Sequence, residues 1–372
     1  MNIDKRLCFK KIILLMMVLI MLFYPFVCGC KNIKNKDYIS YISFSPDSKK
    51  ILFDRQKADG PYQINVFDLD TGSLSAYQSP PGENWSMARY SFDGKLIVFS
   101  IIPSGKKYLE LEKMQIAVMD PDGKKVKRIT NTPGVKIYPS FSHSRKKIIF
   151  CKAGKIRKSG KTPAADYDVY EVDIDTGQET RLSWFKFFMM SQPFYFPDDN
   201  IFIFSAYGFP YIFPEILDND YKAIRKKQEE LKSSNRKRPP VGVSDDIYVV
   251  QKGQKDLPAP YAKSIDGVRD PLITADGLHI YFLTQAYKPD GSGDYEQFFE
   301  YSKNGKHRRI TNIKATTIWS GAVSPDGKLL AAVYDIAPNH EIRKIVIYYI
   351  KSGTSKEISL PDYPSRIINR LE

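Results

Sequence analysis

Six copies of a ten-residue pattern recur along this 372-residue chain, and they constrain its fold more than any other feature of the sequence. The first copy, Phe44 to Phe53, reads Phe-Ser-Pro-Asp-Ser-Lys-Lys-Ile-Leu-Phe. The six copies start at residues 44, 90, 141, 195, 273 and 323. Such a repeat predicts one supersecondary unit used six times, with each unit burying its apolar face against its neighbours.

Each copy predicts two strands joined by a tight turn, because apolar residues alternate on both sides of Ser-Pro-Asp-Gly or a variant of it. In that turn Pro presets φ, Asp bonds the turn backbone, and Gly supplies a positive φ. A second hairpin follows in most copies, as at Asp68-Leu-Asp-Thr-Gly72 and Asp173-Ile-Asp-Thr-Gly177, and a short strand such as Lys127-Arg-Ile-Thr130 closes the unit. Four strands in about 45 to 50 residues are typical of a β-propeller blade.

The pattern Phe-Ser-Pro-Asp-Gly-Lys-x-Ile-x-Phe, followed by the Asp-x-Asp-x-Gly hairpin, resembles the TolB-like repeat of six-bladed propellers. It is also similar to the propeller domains of prolyl-oligopeptidase relatives. The resemblance covers residues 38–361, although copy 3 has His143 and Ser144 at the Pro and Asp positions, and copy 6 ends in Ala332. It implies an all-β, six-bladed β-propeller of four-stranded antiparallel blades that acts as a scaffold for protein contacts.

One interval between copies is longer than the others, and it predicts an insertion rather than a seventh blade. The copies at 195 and 273 are 78 residues apart, a surplus of roughly 25 to 30 residues that is too short for four more strands. Within 214–238, Leu217, Tyr221, Ile224 and Leu231 recur at helical spacing, and Pro239-Pro240 provides a stop. We therefore expect a short helical insertion in blade 4.

The amino terminus has the organisation of an export signal. Lys5, Arg6, Lys10 and Lys11 precede an apolar run that ends in Val27-Cys28-Gly29-Cys30. This stretch resembles a bacterial lipobox with Cys30 as the acylated residue; the alternative is an uncleaved signal anchor. We expect a signal peptide at 1–29, a tether at 30–37, the propeller at 38–361 and a tail at 362–372, with the exported chain attached by lipid to a bacterial membrane on its periplasmic or cell-surface side.

Positive charge is concentrated in two predicted loops of blades 3 and 4. The chain carries a net charge of +14, and removal of the signal would leave +11. In a propeller these long loops emerge on one face, where function tends to lie. They either solubilise the protein or attract an anionic lipid surface, an acidic polymer or an acidic partner. The candidate binding residues on this face are Lys155, Arg157, Lys158, Lys161, Lys222, Arg225, Arg236 and Arg238.

Residues near the start of the inner strands are expected to surround the channel mouth on the same face, and the four candidates are Tyr41, Tyr138, Gln192 and Asp270. No His-Glu-x-x-His, Cys-x-x-Cys or Gly-x-Ser-x-Gly sequence occurs. We therefore expect no catalytic residue, cofactor or metal, no nucleic-acid partner, and a monomer.

These features favour a non-enzymatic, lipid-anchored scaffold that binds a protein or a cell-envelope polymer. The alternative hypothesis is a propeller-type carbohydrate-active lyase or hydrolase with its site at the channel mouth. Clustered His and carboxylate groups at the mouth would favour the enzyme.

Overall fold

The structure is a computed structural model that describes residues 37–57, 60–105, 109–156, 164–207, 245–256, 258–262, 267–287, 293–301, 307–336 and 339–369. The expected signal peptide, the expected acylation site Cys30 and the predicted helical insertion lie outside these residues. Within the described part, no helix is long and apolar enough to cross a membrane. A single turn of 3₁₀-helix spans Leu111–Lys113.

The strands of the first three blades follow one another in sequence order, and each blade is a four-stranded antiparallel sheet. Blade 1 contains β1 Asp37–Phe44, β2 Lys50–Lys57, β3 Gln63–Asp68 and β4 Leu74–Ala76. Blade 2 contains β5 Glu83–Tyr90, β6 Ile97–Pro103, β7 Gln115–Met119 and β8 Lys127–Arg128. Blade 3 contains β9 Lys136–Phe141, β10 Lys147–Ile156, β11 Ala164–Asp173 and β12 Glu179–Arg181.

The last three blades repeat this order, except that blade 4 has three strands. Blade 4 contains β13 Met189–Tyr195, β14 Ile201–Tyr207 and β15 Asp246–Gln251, and a bridge between Ile247 and Ala262 takes the place of a fourth strand. Blade 5 contains β16 Arg269–Ile273, β17 Ile280–Tyr287, β18 Gly293–Tyr301 and β19 His307–Arg309. Blade 6 contains β20 Thr317–Val323, β21 Leu329–Ile336, β22 Asn339–Tyr349 and β23 Thr354–Ile358.

The six blades close into a ring, because the inner strand of each blade packs against the inner strand of the next and β20 packs against β1. Apolar residues from facing blades fill the space between them; Phe53, Phe99, Phe150, Phe204 and Phe282, the last residues of five repeat copies, are fully buried. The prediction of an all-β, six-bladed propeller is confirmed.

The segment assigned by sequence to a tail adds a strand to the propeller. Residues Arg366–Ile367 form β24, which pairs in parallel with β4 at the outer edge of blade 1. Asn369 accepts the backbone N–H of Gln78 at 2.7 Å and donates to the Gln78 carbonyl at 3.1 Å. The chain therefore returns from blade 6 to blade 1 and covers an edge that would otherwise be exposed for pairing.

Antiparallel blade order places two kinds of connection on opposite faces of the ring. The tight turns between first and second strands, and between third and fourth strands, lie on what we call the turn face. The connections between second and third strands and between blades lie on the loop face. The turn of copy 3, which lacks the usual Asp, receives one from the next blade: Asp199 accepts the backbone N–H groups of His143 and Ser144 at 2.6 and 2.9 Å.

Candidate functional site: the loop-face end of the channel

Every inner strand carries a β-bulge near its start, on the loop-face side. In five blades a bulged residue that is not glycine has a positive φ of 51 to 61°, a conformation that costs L-residues about 1–2 kcal/mol. These residues are Tyr41, Met87, Tyr138, Gln192 and Asp270. A bulge re-aims side chains, and strained backbone concentrates at functional sites. The repeated bulge is therefore the local device that shapes this end of the channel.

Four of the bulged residues line one cavity of about 90 Å³, which we call the loop-face cavity. They are Tyr41 of blade 1, Tyr138 of blade 3, Gln192 of blade 4 and Asp270 of blade 5. The structure thus brings together all four residues that the sequence analysis placed at the channel mouth. Met87, the fifth bulged residue, is 2% exposed and belongs to the core instead.

Aromatic side chains form one side of the loop-face cavity. The rings of Tyr41 and Tyr138 meet edge to face with their centroids 5.5 Å apart, a favourable aromatic geometry. Burial raises the pKa of Tyr41 well above its usual value, so its hydroxyl stays protonated at neutral pH. Trp319, at the bulge of blade 6, completes this side.

An arginine-centred cluster forms another side. Arg269 donates through Nη1 to Asp270 Oδ2 at 2.6 Å, through Nη2 to Glu296 Oε2 at 2.8 Å, and through Nη2 to the Ile318 carbonyl at 2.8 Å. Ser191 donates to the other Asp270 oxygen at 3.3 Å. Both carboxylates are thus held in place by bonds that join blades 4, 5 and 6.

A second arginine lies against the tryptophan. The Arg343 guanidinium carbon is 4.0 Å from the Trp319 ring centroid, and Nη1 donates to the Ile39 carbonyl at 2.8 Å. Trp319 Nε1 donates to Asp335 Oδ2 at 2.7 Å. Stacking, hydrogen bonding and burial fix both side chains, so blades 1 and 6 present a preformed surface to the cavity.

A side chain from blade 2 bonds to one residue of the cavity lining. Arg89 Nη2 donates to Gln192 Oε1, and the Arg89 guanidinium carbon lies 4.4 Å from the Phe194 ring centroid. Arg89 itself lines a different cavity on the turn face. The bond between Arg89 and Gln192 therefore joins the linings of the two cavities.

The predicted basic residues are mostly outside the described residues. Lys155 lies at the loop-face end of β10, and its Nζ is 3.5 Å from Asp166 Oδ2. Arg157, Lys158, Lys161, Lys222, Arg225, Arg236 and Arg238 lie in the ranges that the structure does not describe.

Several lining residues were not found by sequence reasoning. Arg269 adjoins the bulge of blade 5, and Trp319 occupies the bulge of blade 6. Both residues therefore lie close to the repeat position that identifies Tyr41 and Asp270. Glu296 and Arg343 come from strands β18 and β22, and no repeated position marks them. No histidine is among the described residues that line the cavity, and no group of three His, Cys, Asp or Glu side chains in the described ranges could hold a metal ion.

Comparison with known proteins agrees with this architecture. TolB from Acinetobacter baumannii superposes with a TM-score of 0.53 at 16% identity, over 86% of this chain and 62% of that one. The fold is that of a TolB-type propeller. An oligogalacturonate lyase in complex with manganese gives a TM-score of 0.54 at 15% identity, over 88% of this chain and 79% of that one. An acylaminoacyl peptidase from Pyrococcus horikoshii gives a TM-score of 0.50 at 14% identity, over 87% of this chain and 46% of that one.

No protein-family model matches the sequence, and no curated protein matches it. The chain spans 62% of the length of the TolB structure and less than half of the peptidase. Because a TolB protein and two enzymes share this fold with it, its function has to be argued from the site rather than from the fold.

Proposed function

We propose that this protein is a non-enzymatic binding module, held at a bacterial membrane outside the cytoplasm by a lipid on Cys30. It would present the loop-face cavity and the loops around it to a protein or a cell-envelope polymer. The observation that supports this most is the convergence of residues from five blades on one preformed cavity. Rigid aromatic and arginine side chains are the groups that dominate recognition surfaces.

The state of the carboxylates favours binding over catalysis. Arg269 donates to one oxygen of Asp270 at 2.6 Å and to both oxygens of Glu296 at 2.8 and 3.4 Å. Ser191 engages the second Asp270 oxygen. A general acid or base needs a carboxyl group that can exchange a proton with a substrate. These groups instead resemble a fixed polar surface that offers hydrogen bonds to a ligand.

The membrane anchor and the basic loops extend the proposal. The basic region before Cys30 and the small residue Gly29 support acylation there. The sequence predicts that most cations near blades 3 and 4 belong to connections of the loop face, where they would draw an anionic partner toward the cavity. Loss of lipid labelling in Cys30→Ala would support the anchor, and retained labelling would refute it. Weaker binding to anionic vesicles after the cations at 155, 157, 158 and 161 are changed to Gln would support a role for the basic loops, and unchanged binding would refute it.

A carbohydrate-active lyase is the second candidate. It is supported by three carboxylates in the cavity lining, Asp245, Asp270 and Glu296, and by the fold shared with an oligogalacturonate lyase. Incubation of the purified chain with oligogalacturonate, with and without Mn²⁺, tests it. Appearance of unsaturated products would favour the enzyme over the binding module.

Crosslinking in the intact envelope tests the binding module itself. Tyr138→Leu removes an aromatic wall of the cavity, whereas Leu278→Ser changes a residue that is 71% exposed in a turn on the opposite face. We expect the yield of a specific crosslinked adduct to fall in Tyr138→Leu and to stay at the wild-type level in Leu278→Ser. The reverse pattern would contradict the proposal, provided both variants unfold at wild-type denaturant concentrations.

A further inference from the structure

A second cavity, of about 100 Å³, lies on the turn face of the ring. It is lined by the far ends of the inner strands and by the turns that follow them, with Pro46, Phe92 and Pro325 among the turn residues. A volume of this size exceeds the 10–15 Å³ or so that one water requires. This turn-face cavity therefore has room for a small organic ligand.

Its walls are mainly apolar, and one charged group lies in them. Phe44, Phe141, Phe194, Leu272 and Val323 face the cavity from five different blades, and no acidic residue of the described part lines it. The charged group is Arg89. An apolar pocket with one well-placed charge is the common form of a small-ligand site.

The charge of Arg89 is poorly compensated compared with that of other arginines. Arg55, Arg181 and Arg269 each contact a carboxylate at 2.5 to 2.8 Å. Among the described residues Arg89 forms no such ion pair; its side-chain partners are the neutral amide oxygen of Gln192 and the face of the Phe194 ring. Burial lowers the pKa of Arg89 to about 10, against the through-space effects of Tyr138 and Asp270. A half-buried guanidinium of this kind gains more than an exposed one from an added anion.

The rigidity of Arg89 also suits a ligand site. Its bond to Gln192 and its stacking on Phe194 hold the guanidinium in one orientation. Among the described side chains, only Gln192 accepts a hydrogen bond from it, through Nη2. The remaining N–H groups can donate hydrogen bonds to a carboxylate, whose geometry matches the planar guanidinium.

We propose that the turn-face cavity is a second ligand site, which binds a monocarboxylate with a small apolar or aromatic body. The carboxylate would bond to Arg89, and the body would contact Phe141, Phe194 and Leu272. This site lies on the opposite face from the loop-face cavity, and it does not depend on the function proposed above.

Two carboxylates of different origin test the site with the full exported chain. Benzoate represents a free organic acid, and N-acetylphenylalanine represents the carboxyl terminus of a peptide. Benzyl alcohol has the aromatic body without the charge. Calorimetric titration should show saturable binding of one or both carboxylates and at least about tenfold weaker binding of benzyl alcohol, the difference expected from a hydrogen bond to a charged group. The tighter of the two acids identifies the source of the ligand.

Variants of Arg89 complete the test. Arg89→Met should weaken carboxylate binding about tenfold or more, while Arg89→Lys should retain part of it. Arg145→Gln, which alters another cation on the turn face, should leave binding unchanged, since Arg145 already pairs with Asp93 at 2.6 Å. Binding of neither acid, equal binding of benzyl alcohol, or wild-type binding by a folded Arg89→Met protein would overturn the proposal. The first two outcomes are measured on the wild-type chain, so they remain decisive even if Arg89→Met does not fold.

Discussion

The side-chain oxygens of Asp54 in blade 1 accept the backbone N–H of Met87 in blade 2 at 3.0 and 3.1 Å. Met87 is the bulged residue of its strand and has a φ of 61°. Ser86 also donates to Asp54. The fully buried side chain of Asp54 thus accepts a backbone N–H that the bulge leaves without a partner in the sheet. This contact also joins two blades next to the channel. Ser205 has a similar relation to Asp270, whose N–H it accepts at 3.3 Å.

Asp54 makes the stability of the propeller depend on pH. Burial raises its pKa to about 8, from 3.8 in an exposed carboxyl. Because the folded state holds the proton more tightly, this contribution to stability is complete below about pH 4 and is lost as the pH rises to about 8. Asp54→Asn should therefore flatten the decrease in the free energy of unfolding between pH 5 and 8, a decrease of at most about 1.4 kcal/mol per pH unit for one group.

The matched control for that measurement is Asp47→Asn in the turn of copy 1. The hydrogen bond from Ser45 lowers the pKa of Asp47, so its contribution is present above the unfolded pKa and is lost only in more acidic solution. Urea unfolding at pH 5, 6, 7 and 8 should show a constant offset for Asp47→Asn and a changed slope for Asp54→Asn. Parallel pH profiles for Asp54→Asn and the wild type would contradict the assignment.

The contact between Gly123 and the returning chain gives a second prediction. A Cβ at Gly123, where φ is +71°, would lie 2.8 Å from Asn369 Cβ and 3.0 Å from the Tyr77 ring. Gly72 has a φ of +72° and nothing within 4 Å of such a Cβ. Both Gly→Ala changes strain the backbone and should lower the free energy of unfolding by about 1–2 kcal/mol. The clash should lower the free energy of unfolding of Gly123→Ala by a further 1–3 kcal/mol or so. Urea unfolding measures the difference in free energy of unfolding between the two variants. Removal of residues 365–372 should make that difference smaller, and an unchanged difference would show that Asn369 is not its cause.

Lys136 gives a third prediction. It is fully buried, its Nζ donates to the Met114 carbonyl at 3.0 Å and to the Thr132 carbonyl, and burial lowers its pKa to about 8. Lys136→Met leaves both carbonyls without this donor and should cost about 1–3 kcal/mol in urea unfolding at pH 7. Lys124→Met, at a lysine side chain that is 76% exposed, should change stability by less than about 0.5 kcal/mol.

The pH dependence of the Lys136 contribution has the opposite sign to that of Asp54. A lysine whose folded pKa is lowered binds its proton more tightly when unfolded, so the wild type should gain stability relative to Lys136→Met between about pH 8 and 10.5. A constant difference over that range would contradict a buried, easily deprotonated Lys136.

The repeat made the ring predictable, because each copy contains the residue pattern of two strands and the tight turn between them. It also located the cavity residues Tyr41 and Asp270, since the bulged residue with positive φ lies at the same offset before each of the first five copies. The strand formed by Arg366–Ile367 was missed, because two residues carry too little alternation to predict a strand and their partner is β4, almost 300 positions away. Arg89 gave no signal for a different reason: it follows the bulge within an ordinary strand, and its role depends on Gln192 and Phe194 two blades further round the ring.

Site-specific photo-crosslinking would show whether the loop-face cavity recognises the partner. A benzoylphenylalanine would be placed at Tyr41 or at Met189, both half-buried in the cavity wall, and separately at Leu278 on the turn face. Cells carrying each chain would be irradiated, and the adducts would be compared after the chains are shown to unfold alike. We expect one discrete adduct from positions 41 and 189 and none from position 278. An adduct formed from position 278 and absent at both cavity positions would contradict it.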